Sequence, residues 1–337
     1  MEKLLTVVIP SYNVEQYLEQ TIASFLIAPQ WLKRIEVLIV NDGSSDRTEE
    51  IGKKYEQKYP DVFRVITKEN GGHGSTINRG ILEGKGKYFK VVDGDDWVET
   101  QGFENLVKEL ENCRCDFVIT NYYEVNDVTK ARKEKSFRQI PAKKVLNIQK
   151  VLEKIQIPMH GLTIRTELLK KNKIKLDEHC FYVDVEYILF PVPYAESVWY
   201  LDEYVYMYRL AVATQSVSMA GYQKHLQNHI DVVLHLADFL SSYMAKGGDP
   251  EKINYMCTRI SQMARDQADI FMSFPASNKE IREKFKRFDE ELKKRNLKVY
   301  EQTGTYSGML RLLRKTRFLG YRWIMDISKK RNKTTES

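Results

Sequence analysis

The chain has 337 residues, of which 42% are hydrophobic and 29% charged. This composition is typical of a globular protein with a sizeable core and excludes disordered and fibrous classes. The length suits one large α/β domain with an appendage, or two domains. No apolar run approaches the roughly 20 residues that cross a bilayer, and the first residues show no cleavable leader pattern, so we expect a cytoplasmic protein. The four cysteines have neither zinc-site nor disulfide-framework spacing and are predicted to be reduced thiols.

The formal net charge of +7 is concentrated near the C-terminal end. Residues 301–337 hold nine lysines and arginines against three acidic residues, which leaves a charge of only +1 for the rest of the chain. A nearly neutral body with one cationic end predicts a localised anionic partner. A phospholipid surface is favoured over nucleic acid, because no nucleic-acid-binding motif occurs elsewhere in the sequence.

The first hundred residues alternate short β-branched runs with helical patterns, which predicts a parallel sheet with crossover helices. Strands are expected at Leu5–Pro10, Ile35–Val40, Phe63–Thr67 and Lys87–Val92, and helices over Val14–Ala28, up to Tyr59, and after the glycine-rich Asn70–Gly80. Polar residues follow these strands at their carboxyl ends. That edge of an open α/β sheet is where ligands bind.

Farther along the chain, the strand pattern continues at Asp116–Val125 and Ser197–Tyr208 and is also expected within Ile174–Phe190. Residues 127–150 are predicted to form a hairpin or a mobile loop over the sheet edge. Helical periodicity begins near Gly221 and is broken at residues 247–250. We therefore predict two domains, an α/β domain at residues 1–218 and a helical region at residues 219–337.

The strongest chemical signal is the acidic turn Asp93-Gly94-Asp95-Asp96, which directly follows a predicted buried strand. Three carboxylates within four residues repel one another unless a cation or hydrogen-bond donors compensate them. Mg²⁺ or Mn²⁺ on one or two carboxylates completes its coordination with water and phosphate oxygens, so the turn predicts a phosphorylated ligand. The alternative is an acidic helix start, in which Asp95 or Asp96 caps a helix that Trp97 enters.

A second polar turn, Asp42–Asp46, also follows a predicted strand. The carboxylate of Asp42 can accept hydrogen bonds from a nucleobase or a ribose, as acidic residues at strand ends do in dinucleotide-binding folds. An Asx turn that caps the next helix is the alternative. The glycine-rich segment matches neither a Rossmann fingerprint nor a P-loop, although a helix after it can still direct N–H groups at phosphate.

Together these motifs form an ordered series that resembles glycosyltransferase family 2. The matching blocks are Val7–Asn13, Val40–Asp46, Asn70–Gly80 and Val92–Asp96. The resemblance covers residues 4–215. It implies the GT-A fold, an α/β architecture with a Rossmann-like, mixed but mostly parallel sheet and flanking helices, and inverting transfer from a nucleotide-diphosphate sugar.

The resemblance also implies the donor-binding residues. Pro10, Tyr12 and Asp42 would surround the nucleoside, with Tyr12 stacking or packing on the base, and Asn78 of the third block is counted with them. Arg209 belongs to a segment similar to the closing element of the family, which continues at residues 215–218, and is expected to contact phosphate through a charge-assisted pair. An ordinary surface arginine is the alternative.

For the chemistry, the resemblance implies that Asp93 and Asp95 hold Mg²⁺ or Mn²⁺ on the donor diphosphate, with Asp96 beside them near the sugar. An inverting transfer needs a carboxylate that takes the proton from the attacking acceptor hydroxyl. Asp184, in a block that looks like the acidic block of the family, is the expected catalytic base, and Glu186 is the next candidate. The alternative is that Asp184 is an exposed acid before a strand or helix.

Three weaker features of the sequence allow a functional role or an ordinary structural one. His160 lies where the acceptor-side wall of the family would form. His225 and His229 are four residues apart but lack a third ligand, so core or surface positions are expected. Residues 309–327 predict a basic amphipathic helix, which can lie on an anionic membrane or pack its apolar face on the catalytic domain.

The sequence thus predicts a metal-dependent inverting glycosyltransferase of hexosyl or acetylhexosaminyl type. It would transfer a sugar from a nucleotide diphosphate, UDP above all, to a glycan or lipid-linked acceptor in surface polysaccharide or glycolipid assembly. We expect a cytoplasmic location, peripheral at the inner face of the membrane through the C-terminal helix, and no nucleic acid. The alternatives are a sugar-phosphate nucleotidyltransferase, which the segment Pro10–Asn13 argues against, and a non-catalytic nucleotide-binding protein of the same fold.

Overall fold

The computed structural model describes residues 2–210 and 218–325. The chain divides into two compact units, Met1–Thr214 and Gln215–Ser337. The first unit is an α/β structure and the second is helical. Residues 215–217 of the predicted closing segment and the end of the basic tail after Met325 lie outside the described residues.

The first unit contains one ten-stranded sheet. Its strands are β1 (Leu5–Ser11), β2 (Ile35–Asn41), β3 (Phe63–Thr67), β4 (Tyr88–Val91), β5 (Trp97–Val98), β6 (Phe117–Asn126), β7 (Arg132–Lys135), β8 (Val145–Asn147), β9 (Leu162–Arg165) and β10 (Ser197–Leu210). The order is β3-β2-β1-β4-β9-β6-β10-β5, while β7 pairs with β6 and β8 pairs with β10.

The sheet is mixed, with most strands in one direction. Strand β1 is parallel to β2 and β4, β2 is parallel to β3, and β6 is parallel to β10. Strand β9 lies antiparallel between β4 and β6, and β5, β7 and β8 are antiparallel at the far side. Every residue of β1 and β2 is buried, as expected of central parallel strands covered on both faces. The predicted α/β fold class is confirmed.

The helices of the first unit are α1 (Leu18–Ala23), α2 (Pro29–Leu32), α3 (Thr48–Lys58), α4 (His73–Glu83), α5 (Thr100–Asn112), α6 (Ile148–Leu152), α7 (Thr166–Lys171) and α8 (Asp184–Leu189). Several expected elements differ in the structure. Within Val14–Ala28 the α-helix is limited to α1. The segment Ile174–Phe190 contains no strand and has α8 near its end. The alternative of a helix entered by Trp97 is also wrong, because Trp97 forms β5 and α5 starts after Glu99, whose carboxylate accepts a hydrogen bond from Gly102 N at 2.6 Å.

The glycine-rich segment is itself helical, because α4 begins at His73 inside it. Its glycines permit close packing. A Cβ on Gly80 would overlap the side chain of Val8 in β1, and one on Gly74 would overlap the carbonyl oxygen of Asp177. The missing side chains therefore bring α4 close to β1 and to the segment that contains Asp177.

The second unit consists of helices α9 (Met219–Lys224), α10 (Leu226–Ala245), α11 (Pro250–Ser273), α12 (Lys279–Arg295), α13 (Leu297–Tyr306) and α14 (Gly308–Lys315). The break expected at residues 247–250 is present. Asp249 caps α11 by accepting a hydrogen bond from Lys252 N at 2.9 Å, and Pro250 occupies the first turn. His229 is a core histidine, with Nδ1 2.9 Å from Oε1 of Gln267.

The predicted amphipathic helix over residues 309–327 is interrupted. Helix α14 ends at Lys315, Arg317 and Phe318 adopt positive φ angles of 49° and 62°, and helical conformation resumes at residues 321–325. Positive φ is unfavourable for bulky residues and ends a helix. The turn places Phe318 in the core. In the described part of the chain, no helix is both long and apolar enough to span a bilayer.

The contact between α4 and β1 predicts that Gly80→Ala destabilises the first unit by about 1–3 kcal/mol, the usual cost of overpacking a core. The measurement is urea denaturation followed by tryptophan fluorescence, since Trp31, Trp97 and Trp199 belong to this unit. Leu82→Ala on the same helix is the control, because Leu82 is 72% exposed. Equal midpoints for the two variants would contradict the predicted contact.

Candidate functional site

The acidic turn lies at the carboxyl end of β4, beside the carboxyl end of β1. Gly94 N donates to the carbonyl of Pro10 at 3.2 Å, and the hydroxyl of Thr21 in α1 donates to the carbonyls of Gly94 and Asp96. A Cβ at Gly94 would come within 2.8 Å of the Pro10 carbonyl oxygen. Backbone contacts therefore hold the turn against β1 and α1, so the three carboxylates are free to make contacts of their own.

Asp96 is turned toward β10 and is almost fully buried. Its oxygens accept hydrogen bonds from the hydroxyl of Tyr206 at 2.6 Å and from Arg209 N at 2.7 Å. Burial and the charges of Asp95 and Asp93 raise the pKa of Asp96 well above its ordinary value. Asp96 thus anchors the turn to β10, and its expected place near the sugar stays a prediction.

Asp93 and Asp95 differ in how their charges are compensated. Oδ1 of Asp93 lies 2.7 Å from Nε2 of His73 at the start of α4. Burial opposes ionisation of Asp93, but the attraction of His73 outweighs it and lowers the pKa of Asp93. Burial and the negative charge of Asp93 raise the pKa of Asp95 to about 6. Unlike Asp93 and Asp96, Asp95 accepts no hydrogen bond on its carboxylate from another of the described residues.

Arg209 is buried beneath this turn, with a 4% exposed surface. Its guanidinium donates to the carbonyl of Asp95 at 2.6 Å and to the side chains of Gln20 and Asp127. It also lies over the ring of Trp97, 4.6 Å from the centroid. The guanidinium is thus already used to hold the acidic turn, so the alternative of an ordinary surface arginine is wrong, and phosphate contact by Arg209 stays a prediction.

The predicted nucleoside residues lie together at the carboxyl ends of β1 and β2. Pro10 is paired with Val40 across these strands, and Tyr12 follows β1 with 53% of its surface exposed. Asp42 is buried and accepts hydrogen bonds from Gly71 N at 2.9 Å and Gly72 N at 2.7 Å. Tyr12 thus presents a free ring face, whereas Asp42 fixes the loop that leads into α4.

Lys68 and Asn78 organise the same region. Nζ of Lys68 donates to Oδ1 of Asp42 at 2.7 Å and to Oγ of Ser75 at 2.9 Å. The amide of Asn78 donates to the carbonyl of Leu176 at 2.9 Å and accepts from Leu176 N at 2.9 Å. Asn78 therefore holds the segment before α8, and donor binding by Asn78 stays a prediction.

Asp184 begins α8, and its charge acts on His73 and Tyr208, two groups that the acidic turn also affects. Burial and the charges of Asp96, Asp93, Asp184 and Asp95 raise the pKa of the Tyr208 hydroxyl. For His73, burial acts against the charged ring, but Asp93, Asp184 and Asp95 together raise its pKa. The second base candidate, Glu186, is fully buried and accepts a hydrogen bond from Asp177 N at 2.8 Å. Asp184 is therefore the carboxylate that combines partial exposure with proximity to the turn.

His160 completes an aromatic wall next to these acids. Its ring stacks on Tyr208 at 4.1 Å and meets the edge of Tyr206 at 4.8 Å. Burial lowers the pKa of His160 to about 4, so the imidazole is neutral at pH 7. Its buried Nδ1 has no hydrogen-bond partner within residues 2–210 and 218–325. An unpaired ring nitrogen in this position can accept a hydrogen bond from a ligand or water.

Lys90, which the sequence analysis overlooked, supports this wall from inside the sheet. It lies on β4 with no exposed surface, and its Nζ donates to the carbonyl of His160 at 2.8 Å. Burial lowers the pKa of Lys90 to about 7. The only signal for this role in the sequence is a lysine within an apolar run, and that run predicts no more than the strand Lys87–Val92.

Comparison with known proteins agrees with this geometry. The model of glycosyl transferase family 2 matches residues 6–172. The uncharacterized glycosyltransferase EpsJ of Bacillus subtilis (strain 168) is 30% identical over 297 residues, which cover 85% of this chain and 83% of EpsJ. The chain belongs to glycosyltransferase family 2.

This glycosyltransferase is also similar to a further curated protein in sequence and to a solved structure in fold. The minor teichoic acid biosynthesis protein GgaB of B. subtilis is 29% identical over 175 residues, 52% of this chain but only 19% of GgaB. Among solved structures, residues 1–349 of S. aureus TarS in complex with UDP-GlcNAc superpose with a TM-score of 0.63 at 17% identity, covering 97% of this chain and 92% of that one. The second likeness confirms the GT-A type of fold.

The buried Lys90 gives this glycosyltransferase a testable pH dependence. An unfolded lysine keeps its proton to about pH 10.4, whereas Lys90 in the folded protein loses it near 7. Between these values the unfolded state binds more protons, so this residue makes stability rise with pH by up to about 1.4 kcal/mol per unit. We expect the wild type to gain stability from pH 7.5 to 9.5 relative to Lys90→Met.

Urea denaturation at several pH values measures this difference. Lys58→Met, at an exposed lysine that ends α3, is the control and should follow the wild-type profile. Parallel pH profiles for the wild type and Lys90→Met would show that Lys90 keeps its proton in the folded state.

Proposed function

We propose that the chain is a metal-dependent inverting glycosyltransferase that uses a UDP-sugar. The observation that carries the proposal is the convergence of Tyr12, the acidic turn and Asp184 at one edge of a GT-A sheet, in a chain of glycosyltransferase family 2. Each of these groups suits one part of the donor or one step of the transfer.

The nucleoside is assigned to the ends of β1 and β2. The exposed ring of Tyr12 is available for stacking on a base, and Asp42 and Pro10 lie at the neighbouring strand ends. Because the carboxylate of Asp42 already accepts two backbone N–H groups and Lys68, its contribution is to shape the pocket and to leave its remaining acceptor positions for the nucleoside. UDP is favoured because TarS, a protein of similar fold, was solved with UDP-GlcNAc.

The acidic turn fits a divalent cation. Asp93 and Asp95 are two carboxylates close to each other, and burial with the charge of Asp93 disfavours the ionised form of Asp95 when only protein groups surround it. A hard cation would relieve this repulsion, and oxygen ligands are those that Mg²⁺ and Mn²⁺ prefer. When bound, such an ion neutralises negative charge on the departing diphosphate. Two residues of β10 keep the turn in place, since Tyr206 and Arg209 bind the carboxylate of Asp96 and the guanidinium of Arg209 binds the carbonyl of Asp95.

Asp184 is assigned as the base. In an inverting transfer a carboxylate takes the proton of the acceptor hydroxyl while the oxygen attacks the anomeric carbon and the nucleotide diphosphate leaves from the opposite face. The start of α8 leaves Asp184 partly exposed and near His73 and Tyr208.

The acceptor is assigned to surface glycans. GgaB, which matches half of this chain, is described as a minor teichoic acid biosynthesis protein. We propose a hydroxyl of a cell-surface polysaccharide or of a lipid-linked glycan as the acceptor, and a hexose or N-acetylhexosamine as the transferred sugar. A cytoplasmic protein peripheral to the inner face of the membrane would meet both substrates.

The role of Asp184 predicts that Asp184→Asn lowers the turnover of sugar transfer by at least about 100-fold, the usual contribution of a general base. The affinity for UDP, measured by calorimetry, should stay within about twofold, since a base contributes to the transition state and not to nucleotide binding. Glu178→Gln is the matched control in the same segment, because its amide oxygen can still accept from Asn78. Full activity of Asp184→Asn would assign the base to another residue.

The metal and the donor are tested together. We expect hydrolysis of UDP-sugars to require Mn²⁺ or Mg²⁺, to stop with EDTA, and to exceed that of GDP- and dTDP-sugars. Asp95→Asn should weaken Mn²⁺ binding by at least about tenfold, because one hard oxygen ligand loses its charge. Titration with Mn²⁺ followed by electron paramagnetic resonance measures this affinity. Release of pyrophosphate from a nucleoside triphosphate and a sugar phosphate would favour a nucleotidyltransferase, and nucleotide binding without any turnover would indicate a non-catalytic protein.

A further inference from the structure

The helical unit carries an exposed cationic surface near its C-terminal end. Four basic side chains, those of Arg311, Lys315, Arg317 and Arg322, are exposed. Between residues 302 and 325 the sequence contains no aspartate or glutamate. Among the described residues, no ion pair involves any of these four side chains.

Apolar side chains are exposed among these charges. Leu319 is 82% exposed, Trp323 is 67% exposed and Leu312 is 41% exposed. Single exposed apolar residues are common on protein surfaces. Here three large ones and the four exposed cations lie within residues 311–323 of the chain, a composition that suits an interfacial segment. We call the four cations and these three apolar residues the basic–aromatic patch.

The patch is separate from the face that packs in the unit. Leu310, Leu313 and Ile324 are buried, and Arg314 forms an ion pair with Asp289 at 2.7 Å. The guanidinium of Arg314 also lies 3.6 Å from the centroid of the Tyr300 ring. Docking of this segment within its own unit therefore uses one set of residues and leaves the other set without intramolecular packing.

Buried and exposed residues already separate within α14, where Leu313 is buried while Arg311 and Leu312 are exposed. The positive φ angles of Arg317 and Phe318 end this helical run, and Phe318 is buried while Leu319 is exposed. The apolar residues of the segment are thus divided into a packed set and an exposed set.

We propose that the basic–aromatic patch binds the surface of anionic phospholipid bilayers. The charge complementarity favours an anionic partner, and the exposed indole and leucine side chains favour a bilayer interface over a soluble polyanion. Tryptophan prefers the interfacial region of membranes, and lysine or arginine near an anionic surface adds about 1 kcal/mol each. Four further basic residues, Lys329, Lys330, Arg331 and Lys333, follow in the sequence. The proposal is independent of the proposed sugar transfer.

Vesicle sedimentation of the full chain tests the proposal. We expect binding to vesicles of phosphatidylcholine mixed with phosphatidylglycerol and little binding to phosphatidylcholine alone. Lys315→Gln with Arg322→Gln should weaken partitioning about 30-fold, which corresponds to ~1 kcal/mol for each lost charge. The matched control is Lys246→Gln with Lys279→Gln, which removes two exposed charges of the same unit outside the patch.

The apolar contribution is tested separately. Leu319→Ser should weaken vesicle binding, whereas Leu297→Ser, at a 53% exposed leucine of α13, should not. Vesicles with anionic lipid should shift tryptophan emission to the blue in the wild type but not in Trp323→Phe. Circular dichroism checks that each variant is folded, and hydrolysis of UDP-sugar without lipid should be the same in all of them, which separates this proposal from the catalytic one.

Several results would overturn the proposal. They are equal binding of the patch and control variants, binding to neutral vesicles alone, and an unshifted tryptophan emission. Retention of the chain by heparin or RNA with no binding to anionic vesicles would assign the patch to a soluble polyanion. A dimer that dissociates on Leu319→Ser, without any change in vesicle binding, would assign it to a second copy of the chain.

Discussion

The candidate site depends on the unequal compensation of three neighbouring carboxylates. Asp96 accepts two hydrogen bonds from β10 and Asp93 is paired with His73, whereas no hydrogen bond from another described residue reaches the carboxylate of Asp95. Asp95 keeps a carboxylate whose ionised form is opposed by burial and by Asp93. If all three had equal partners, the turn would be an inert structural element. The difference leaves a defined position for an external cation.

This arrangement requires that distant segments meet at the turn. Arg209 at the end of β10 reaches the carbonyl of Asp95 and the side chains of Gln20 and Asp127, which precede it by 82 residues or more. Burying a guanidinium is costly unless its donors are paired, and here aromatic faces and acceptors surround it. The contacts that tie the site together are thus also long-range contacts of the sheet unit.

The sequence was informative where chemistry and local pattern coincide. The strands that end at Asp42 and Asp93 were predicted because β-branched runs directly precede polar turns, and the sheet edge follows from parallel pairing. The two strands and the turns after them depend on short stretches of chain, in which the residue order already contains the geometry. The grouping of Tyr12, Asp93 and Asp184 came only from the resemblance to a family and stays a prediction.

Features that depend on packing across the chain could not be predicted in this way. Because glycine disfavours helix, the glycine-rich sequence predicts a helix only after Gly80. In the structure the glycines lie within α4, where close approach to Val8 and Asp177 requires them. Likewise, no local pattern indicated that Lys90 would lie buried beneath His160.

The interrupted C-terminal segment also shows that a local pattern does not predict how residues pack. Its periodicity correctly indicated apolar and basic residues in alternation, but periodicity assumes a continuous helix. Helix α14 ends before Arg317 and Phe318, and already within it Leu313 is core while Leu312 is surface; Leu319, after the turn, is surface as well. The predicted pattern allowed either packing of the helix or binding to a membrane. Both remain compatible with the structure, because the buried residues serve packing and the exposed ones are available to a membrane.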